Sequence, residues 1–229
     1  MEKLLNKAKD IKIIFFDIDD TLRVKDTGFM PASLTHIFEI LHQKGILTGI
    51  ATGRNLCGVV PEIKALHPDF FVTANGAYVI DKSDQVIYKQ SLPQKVVLDI
   101  VEWLTSSSAE YVVYGADQVV ASAWSDTMQS AIEPIYGQLP IDPDYHLTHD
   151  IYQMVTMSEH DDQLTLPEKL SESVRMVRWH EHSSDIVPLN GSKAVGVSQV
   201  LDQLGLSVEN VMNFGDGLND VELFDLGGL

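Results

Sequence analysis

The sequence predicts an α/β fold in which a doubly wound, mainly parallel sheet is interrupted by an α+β insert. Between Ile11 and about Asp81, strand and helix patterns alternate, as they do in a parallel sheet with crossover helices. After two predicted turns, strands outnumber crossover helices, which favours an antiparallel sheet. The first pattern then returns with a helix and a buried strand, so the insert divides the core in two. The predicted domains are residues 1–83 and 188–229 for the core and residues 84–187 for the insert.

The core elements are predicted from apolar runs that are bounded by proline, glycine and polar residues. Pro31 and Ser33 open a helix that Gly45 ends. Asn55 is expected to cap a second helix that continues to about His67. A third helix is predicted at 192–204. The predicted strands are Ile11–Phe16, Ile46–Ala51, Phe70–Thr73, Tyr78–Ile80, Val86–Tyr88 and Val211–Phe214.

The insert interleaves helical and strand patterns. Its predicted elements are helices at 93–105, 126–136 and 166–171 and strands at 111–114, 119–123, 152–157, 174–179 and 185–187. Trp103, Trp124 and Trp179 are expected to pack within it. His180 and His182 form a His-x-His pair, but no further spaced ligands accompany them, so a metal site there is not favoured.

The composition is that of a globular protein with an acidic balance. Sixteen Lys and Arg residues stand against 33 Asp and Glu residues, which gives a net charge of −17 over 229 residues. Such a charge disfavours nucleic acid or an anionic membrane as the main partner. No apolar run approaches the length of a membrane span, and no signal peptide is recognisable, so we expect a cytoplasmic protein. The single cysteine, Cys57, is expected to pack in an apolar helix.

Two aspartates directly follow the first predicted strand. Asp17 and Asp19 are two residues apart, so in an extended chain their side chains leave the same side of the backbone. Ligands of open α/β sheets bind outside the carboxyl ends of the strands, and Mg²⁺ prefers one or two carboxylates together with water and phosphate. The motif alone leaves a solvated turn or a structural cation loop open. An EF-hand is excluded, because Leu22 and Gly28 stand where Gly and Glu are required.

Two further segments carry groups that can bind an anion. Thr52 follows the second strand and offers a hydroxyl, and backbone N–H groups such as that of Gly53 are available where a helix begins. The glycines from Gly53 onward have P-loop spacing, but Val59 and Val60 replace its Lys and Ser/Thr, which excludes that motif. Lys193 lies early in a helix, where its charge opposes the helix dipole. It is either a solvated lysine or the partner of a carboxylate or phosphate.

The last motif is Gly215-Asp216-Gly217-Leu218-Asn219-Asp220, which again follows a buried strand. Its glycines are similar to those of a dinucleotide-binding loop. However, Asp220 replaces the third glycine and would lie against a pyrophosphate, which excludes that function. Asp216 lies between two glycines in a flexible turn, which suits a carboxylate that binds a cation.

Together these motifs resemble those of the haloacid dehalogenase superfamily, in its Cof-type phosphatase branch. The resemblance spans nearly the whole chain, and Asn75-Gly76-Ala77 is also similar to that branch. It implies a Rossmann-like core with an inserted α+β cap of the C2 type (type IIB), which would exclude water and select the leaving group. Family members usually continue through another helix and strand after the fourth motif. We therefore expect an exposed sheet edge and a monomer or a weak homodimer.

The resemblance also implies a role for each motif residue. Asp17 would attack phosphorus and form an aspartyl-phosphate, and Asp19 would act first as general acid and then as general base. Mg²⁺ would be held by Asp17, the backbone carbonyl of Asp19 and Asp216. The remaining implied roles are phosphate binding by Thr52, Gly53 and Lys193, and support of Lys193 or of metal-bound water by Asn219 and Asp220.

The expected function is Mg²⁺-dependent hydrolysis of a small phosphate ester, such as a sugar phosphate, with neither nucleic acid nor membrane as a partner. Alternatives stay open. A phosphotransferase or mutase would use the same site, and a catalytically impaired regulatory protein would keep the same fold. A receiver-like signalling domain also combines acids at a strand end with a Thr and a Lys, but it is a short single domain and needs no cap. The sequence does not indicate which ester is the substrate.

Overall fold

The computed structural model describes residues 8–226 of the chain, which form two compact units. The core unit comprises the residues up to Arg54, Val59–Lys89 and the residues from Ser192 onward, and the insert unit comprises Asn55–Gly58 and Gln90–Gly191. These limits differ from the predicted ones at 83/84 and 187/188. Strand pairing accounts for the shift, because Val86–Lys89 pairs with the core sheet and Ser183–Pro188 pairs with the insert sheet.

The elements confirm the fold class predicted from the sequence. The strands are β1 (Ile13–Phe16), β2 (Leu47–Ala51), β3 (Phe70–Thr73), β4 (Tyr78–Asp81), β5 (Val86–Lys89), β6 (Glu110–Tyr114), β7 (Val119–Ala121), β8 (Gln153–Met157), β9 (Val174–His180), β10 (Ser183–Pro188) and β11 (Val211–Phe214). The α-helices are α1 (Ser33–Gln43), α2 (Pro61–Lys64), α3 (Gln94–Ser106), α4 (Asp126–Ala131), α5 (Glu133–Tyr136), α6 (Glu168–Ser171), α7 (Lys193–Leu204) and α8 (Val221–Leu226). Within residues 8–226, no helix combines the length and apolar character needed to cross a bilayer.

The core unit is built on a sheet in the order β11-β1-β2-β3-β4-β5. The first four strands of this order run parallel, whereas β4 and β5 are antiparallel to their neighbours. Every residue of β1 is buried, as expected for a strand that is covered on both faces. Apolar side chains of β1 and β3 pack together with those of α7 in one hydrophobic cluster. This packing holds the start of α7 close to the sheet.

Helix α7 has well-defined ends that place its first residue. The hydroxyl of Ser192 accepts a hydrogen bond from the backbone N–H of Val195 at 3.3 Å, and Gly205 ends the helix in the left-handed conformation with φ of 65°. A Cβ atom at Gly196 would lie 2.5 Å from Cγ1 of Val72, so the helix backbone approaches β3 too closely for any side chain there. The close approach buries Lys193, the first residue of the helix.

The insert unit contains an antiparallel sheet in the order β7-β6-β8-β10-β9. One face of α3 packs on it through Val97, Ile100 and Leu104, which are fully buried. Trp103 is partly buried against the same cluster, which agrees with its expected packing role. The strand positions follow the predicted ones closely, because alternating apolar residues mark them in the sequence.

The predicted helix from Asn55 to His67 is wrong. The segment contains only a 3₁₀ turn at Leu56–Gly58 and the four-residue helix α2. Pro61 lacks a backbone N–H and forces the preceding residue out of the helical region, and Val60 is extended with ψ of 149°. Cys57, predicted to pack in this helix, is exposed instead.

Proline also shortens two predicted helices of the insert. The segment predicted as one helix at 126–136 is two helices, α4 and α5, separated at Ile132, and Pro134 lies in the first turn of the second. The helix predicted at 166–171 begins only at Glu168, directly after Pro167. In each case the periodic apolar pattern continues through a proline, which has no backbone N–H to donate to the hydrogen bonds of a longer helix.

Candidate active site

The loops that carry the predicted motifs leave the core sheet at the same end. β1 pairs in parallel with β2 and β11, and its last residue lies opposite the last residue of β11 and the penultimate residue of β2. Asp17, Thr52 and Gly215 therefore start three neighbouring loops at the carboxyl ends of parallel strands. Ligands of open α/β sheets bind at such ends.

Lys193 lies between two carboxylates in the interior of the core unit. Its Nζ atom donates to Oδ1 of Asp17 at 2.7 Å and to Oδ1 of Asp220 at 2.8 Å. The side chains of Lys193 and Asp220 are 0% exposed. A buried ammonium requires such partners, because removing a charge from water is costly without them. The structure thus excludes a solvated lysine at this position.

Burial and charge together determine the protonation of this cluster. Burial raises the pKa of Asp17 to about 6, the positive charge of Lys193 opposes that shift, and the charge of Asp220 adds to it. Burial lowers the pKa of Lys193, but attraction to the two carboxylates outweighs burial, so its pKa is raised overall. Lys193 is therefore protonated at neutral pH, and Asp17 then carries a negative charge that burial disfavours.

Asp220 also shapes the loop that contains Asp216. Its Oδ2 atom accepts the backbone N–H groups of Asp216 at 3.2 Å and Gly217 at 3.0 Å. A Cβ atom at Gly215 would lie 2.5 Å from Cγ of Asp220, so only glycine fits where the carboxylate folds back on the loop. Asp216 itself is exposed, and its Oδ1 atom accepts the hydroxyl of Thr21 at 3.1 Å. The buried carboxylate of Asp220 thus fixes the backbone of the loop, and the carboxylate of Asp216 faces outward.

Three carboxylates lie close enough to share a cation. Each of Asp17, Asp216 and Asp220 offers an oxygen atom, and these oxygen atoms lie within 4.8 Å of one another. Oxygen donors of this kind suit Mg²⁺, and three acids against the single ammonium of Lys193 leave negative charge that a divalent cation would neutralise. The donor set therefore fits the metal that the sequence predicts. The predicted contribution of the backbone carbonyl of Asp19 stays a prediction.

The carboxylate of Asp19 lies outside this group and has a partner that the sequence analysis missed. Arg54 donates from Nε to Oδ2 at 2.7 Å and from Nη2 to Oδ1 at 2.6 Å, a bidentate ion pair, and Arg54 is buried. The pair joins the loop after β1 to the loop after β2. Arg54 directly follows Thr52 and Gly53 in the sequence, and a signal was present, because arginine is an unusual residue just after a buried strand.

The predicted phosphate-binding loop touches the fourth motif through two amides. A Cβ atom at Gly53 would lie 3.2 Å from Oδ1 of Asn75 and 3.3 Å from Nδ2 of Asn219. The Nδ2 atom of Asn219 donates to Oδ1 of Asn75 at 2.8 Å. Thr52 is buried, and its hydroxyl accepts the backbone N–H of Arg54 at 3.1 Å. Asn219 thus contacts the amide of Asn75, a residue for which the resemblance implied no role.

The predicted site residues lie together at one end of the core sheet. Lys193 bonds the first and last motifs, Arg54 bonds Asp19, and Asn219 bonds Asn75 beside Gly53. The His180 and His182 pair belongs to no group of three possible metal ligands within the described part of the chain.

Known proteins are similar to this chain over most of its length. The family model for haloacid dehalogenase-like hydrolases matches residues 14–229. A Streptococcus pyogenes serotype M6 protein, provisionally named a bifunctional phosphatase/peptidyl-prolyl cis-trans isomerase, is 49% identical over 227 residues, which are 99% of this chain and 48% of that protein. Phosphatase YkrA of Bacillus subtilis, also provisionally named, is 30% identical over 96% of this chain and 84% of its own length.

The chain therefore spans about half the length of the streptococcal relative and most of the Bacillus one. Among solved structures, the subclass IIB sugar phosphatase BT4131 shares the fold with a TM-score of 0.82, at 23% identity, over 95% of this chain and 85% of that one. With the match of the family model over nearly the whole sequence, the chain belongs to the haloacid dehalogenase-like hydrolases.

Proposed function

We propose that this protein is a Mg²⁺-dependent phosphatase that hydrolyses a small phosphorylated metabolite, such as a sugar phosphate, through an aspartyl-phosphate on Asp17. The observation that carries the proposal is the buried Lys193, held at 2.7 Å from Asp17 at the point where three loops leave the sheet. Burying a cation and a carboxylate together is costly and adds little to stability, so such a pair points to a role in binding or catalysis.

The chemistry follows from the two acids of the first motif. A carboxylate oxygen of Asp17 attacks phosphorus, and the bond from phosphorus to the ester oxygen breaks. Asp19, which must first take up a proton and give up one of its two bonds to Arg54, gives that proton to the leaving oxygen. Water then attacks the phosphorus of the aspartyl-phosphate and Asp19 takes a proton of that water. The bond from phosphorus to the Asp17 oxygen breaks, which releases inorganic phosphate and restores the carboxylate of Asp17. Lys193 holds the attacking carboxylate in place throughout and offers positive charge to the phosphoryl oxygens.

Metal and phosphate binding are assigned to the same loops. Asp17, Asp216 and the backbone carbonyl of Asp19 would hold Mg²⁺, with Asp220 positioning Lys193 and the Asp216 loop. When bound, Mg²⁺ supplies positive charge that offsets repulsion between the acids and the anionic substrate. Thr52 and the backbone of Gly53 would bind phosphoryl oxygens.

Arg54 is assigned a positioning role, because its two bonds determine where the carboxylate of Asp19 lies. An acid that must meet the leaving oxygen gains from such orientation.

The substrate class rests on the names of relatives and on the global charge. Several relatives are named phosphatases, and the structural neighbour is named a sugar phosphatase. A net charge of −17 disfavours polyanions such as nucleic acid, so a small ester is the better substrate. The cytoplasmic location and the monomeric or weakly dimeric state complete the proposal.

The test compares wild-type protein with Asp17→Asn and with Asp20→Asn as matched control. Asp20 lies in the same loop but is exposed, and its carboxylate accepts the backbone N–H of Lys25 at 2.9 Å. Phosphate release from an aryl phosphate is measured with and without Mg²⁺. We expect Mg²⁺-dependent turnover in wild type and Asp20→Asn, and a kcat at least about 10⁴-fold lower in Asp17→Asn.

Two results would contradict the proposal. One is the absence of turnover from folded wild-type protein across a panel of aryl and sugar phosphates. The other is undiminished turnover in Asp17→Asn, which would place the nucleophile elsewhere.

A further inference from the structure

The turn after β3 has an unusual backbone. Ala74, Asn75 and Gly76 have φ of 49°, 51° and 92°, three successive residues with positive φ. Only glycine adopts this region without strain, so two side-chain-bearing residues in succession are rare. Such strain persists where the surroundings enforce it, and it occurs most often at functional sites.

The surroundings that enforce this turn are the loops of the candidate active site. The backbone N–H of Ala74 donates to the carbonyl of Arg54 at 2.8 Å, and that of Asn75 donates to the carbonyl of Thr52 at 3.1 Å. The turn therefore holds the carbonyls on both sides of Gly53. The loop predicted to bind phosphate cannot change its backbone without breaking these bonds.

The same turn contacts the helix that carries the buried lysine. A Cβ atom at Gly76 would lie 2.0 Å from the carbonyl oxygen of Ser192, so the two backbones touch directly. At Gly196, a Cβ atom would lie 2.9 Å from Cα of Gly76. The first turn of α7, which begins with Lys193, thus packs on the strained turn without intervening side chains.

The side chain of Asn75 makes the third connection. Its Oδ1 atom accepts the amide of Asn219 at 2.8 Å, and both amides lie against Gly53. Asn219 belongs to the loop of Asp216 and Asp220. One residue thus joins the phosphate-binding loop, through its backbone, to the acidic loop, through its side chain.

We infer that Asn75 is a positioning residue, whose amide fixes the distance between the phosphate-binding loop and the acidic loop through Asn219. This inference deepens the proposed function and rests on it. The strained backbone is retained because it directs this amide between the two loops. Its effect is exerted through Asn219 and Gly53, and no contact of Asn75 with the substrate is required.

The test separates the effect of the Asn75 side-chain amide from the effect of the strained backbone. Asn75→Gly removes the amide, keeps the backbone N–H that bonds Thr52, and relieves the positive φ. Ala74→Gly is the matched control, because it relieves the adjacent positive φ and keeps the amide. Both variants are expected to unfold within about 4 °C of wild type, since relief of strain offsets the lost contacts. A residue with a merely structural role would lose stability and activity together.

Activity is measured as kcat, KM and the Mg²⁺ concentration for half-maximal rate. For Asn75→Gly we expect kcat/KM to fall about 10- to 100-fold, the usual effect of removing a group that orients the residues in contact with metal or phosphate. Ala74→Gly should keep wild-type kcat/KM. In an Asn219→Ala background, Asn75→Gly should have little further effect, because the amide acts through Asn219.

The possible results distinguish failure of the inferred role of Asn75 from failure of the proposed function. Turnover in wild type together with unchanged kcat/KM in Asn75→Gly would overturn the inference and leave the proposed function intact. Equal losses in Asn75→Gly and Ala74→Gly would also overturn it, because the backbone would then be responsible. Absence of turnover in wild type would overturn the proposed function and this inference with it.

Discussion

Two buried aspartates, one in each unit, have opposite surroundings. In the core, Asp17 shares the ammonium of Lys193 with a second carboxylate, so two acids compete for one cation. In the insert, Oδ1 of Asp161 accepts the hydroxyl of Thr156, and its Oδ2 accepts the hydroxyl of Ser184 at 2.6 Å. Each oxygen of the insert aspartate thus has a donor of its own.

Burial by itself therefore does not identify a functional acid. In the insert, donors match acceptors, which is the arrangement of a buried polar group that supports the fold. In the core, acids outnumber the cation, and the pKa of Asp17 is raised to about 6 by burial. Unbalanced charge in the interior is unfavourable for folding, and it is retained where a bound cation or a reaction uses it.

The largest expected effect comes from the same substitution in both aspartates. Asp17→Asn should abolish turnover, whereas Asp161→Asn should leave kcat nearly unchanged. Asp161→Asn should instead lower the free energy of unfolding by about 1–3 kcal/mol, because an amide N–H₂ would face a hydroxyl donor. Urea denaturation and phosphate release measure the two effects. Loss of turnover in well-folded Asp161→Asn protein would break the comparison.

The second expected effect concerns stability and uses two lysines. Lys193→Met leaves two buried carboxylates without their cation, so we expect a loss of about 3–5 kcal/mol in the free energy of unfolding at pH 8 without metal. Lys169 pairs with Asp99 on the surface at 2.9 Å, and Lys169→Met should have no measurable effect. Urea denaturation of both variants is the measurement, and Mg²⁺ should reduce the first loss. Equal free energies of unfolding for the two variants would show that the bonds of Lys193 to the buried carboxylates do not stabilise the fold.

The smallest expected effect is a pH dependence of metal binding. The folded-state pKa of Asp17, about 6, lies above its ordinary value of 3.8, so this group lowers stability as the pH rises from 3.8 to about 6. Bound Mg²⁺ favours the ionised form of Asp17 and should offset that loss of stability. The increase in melting temperature on adding Mg²⁺ should therefore be larger at pH 8 than at pH 5.

Asp17→Asn serves as the control for this dependence, because an amide does not titrate. In that variant, the contribution of position 17 to the pH dependence should vanish. An increase in melting temperature that is larger at pH 5 than at pH 8 in wild type would contradict the assignment of the titrating group.

Much of the fold could be predicted because apolar runs and turn residues are local signals. β3 and β11 occur as predicted, and Gly205 ends α7 as expected from its position. Prediction failed where a proline stood within an apolar pattern, as at Pro61. There the pattern reports burial correctly, but the hydrogen bonds of a long helix cannot form.

The residues of the site also fall into those that local sequence signals indicate and those that they do not. The aspartates at strand ends, Thr52 and Lys193 were candidates because each is adjacent to a recognisable local element, and their roles were implied by the resemblance to a family. The roles of Arg54 and Asn75 were missed, since their partners are 35 and 144 residues away in the sequence. Arginine after a buried strand indicates that a carboxylate is near but not which one, and asparagine gives no such indication.

The alternation of strands and helices, the approximate position of the insert and the acids at the carboxyl ends of the strands could all be read from the sequence. They could be read there because side-chain period, proline, glycine and charge act over a few residues. The three-dimensional structure was needed to find which acids share Lys193, that Arg54 binds Asp19, and that a strained turn joins two loops of the site. Those relations depend on distances between segments far apart in the chain, and only the packed sheet determines such distances.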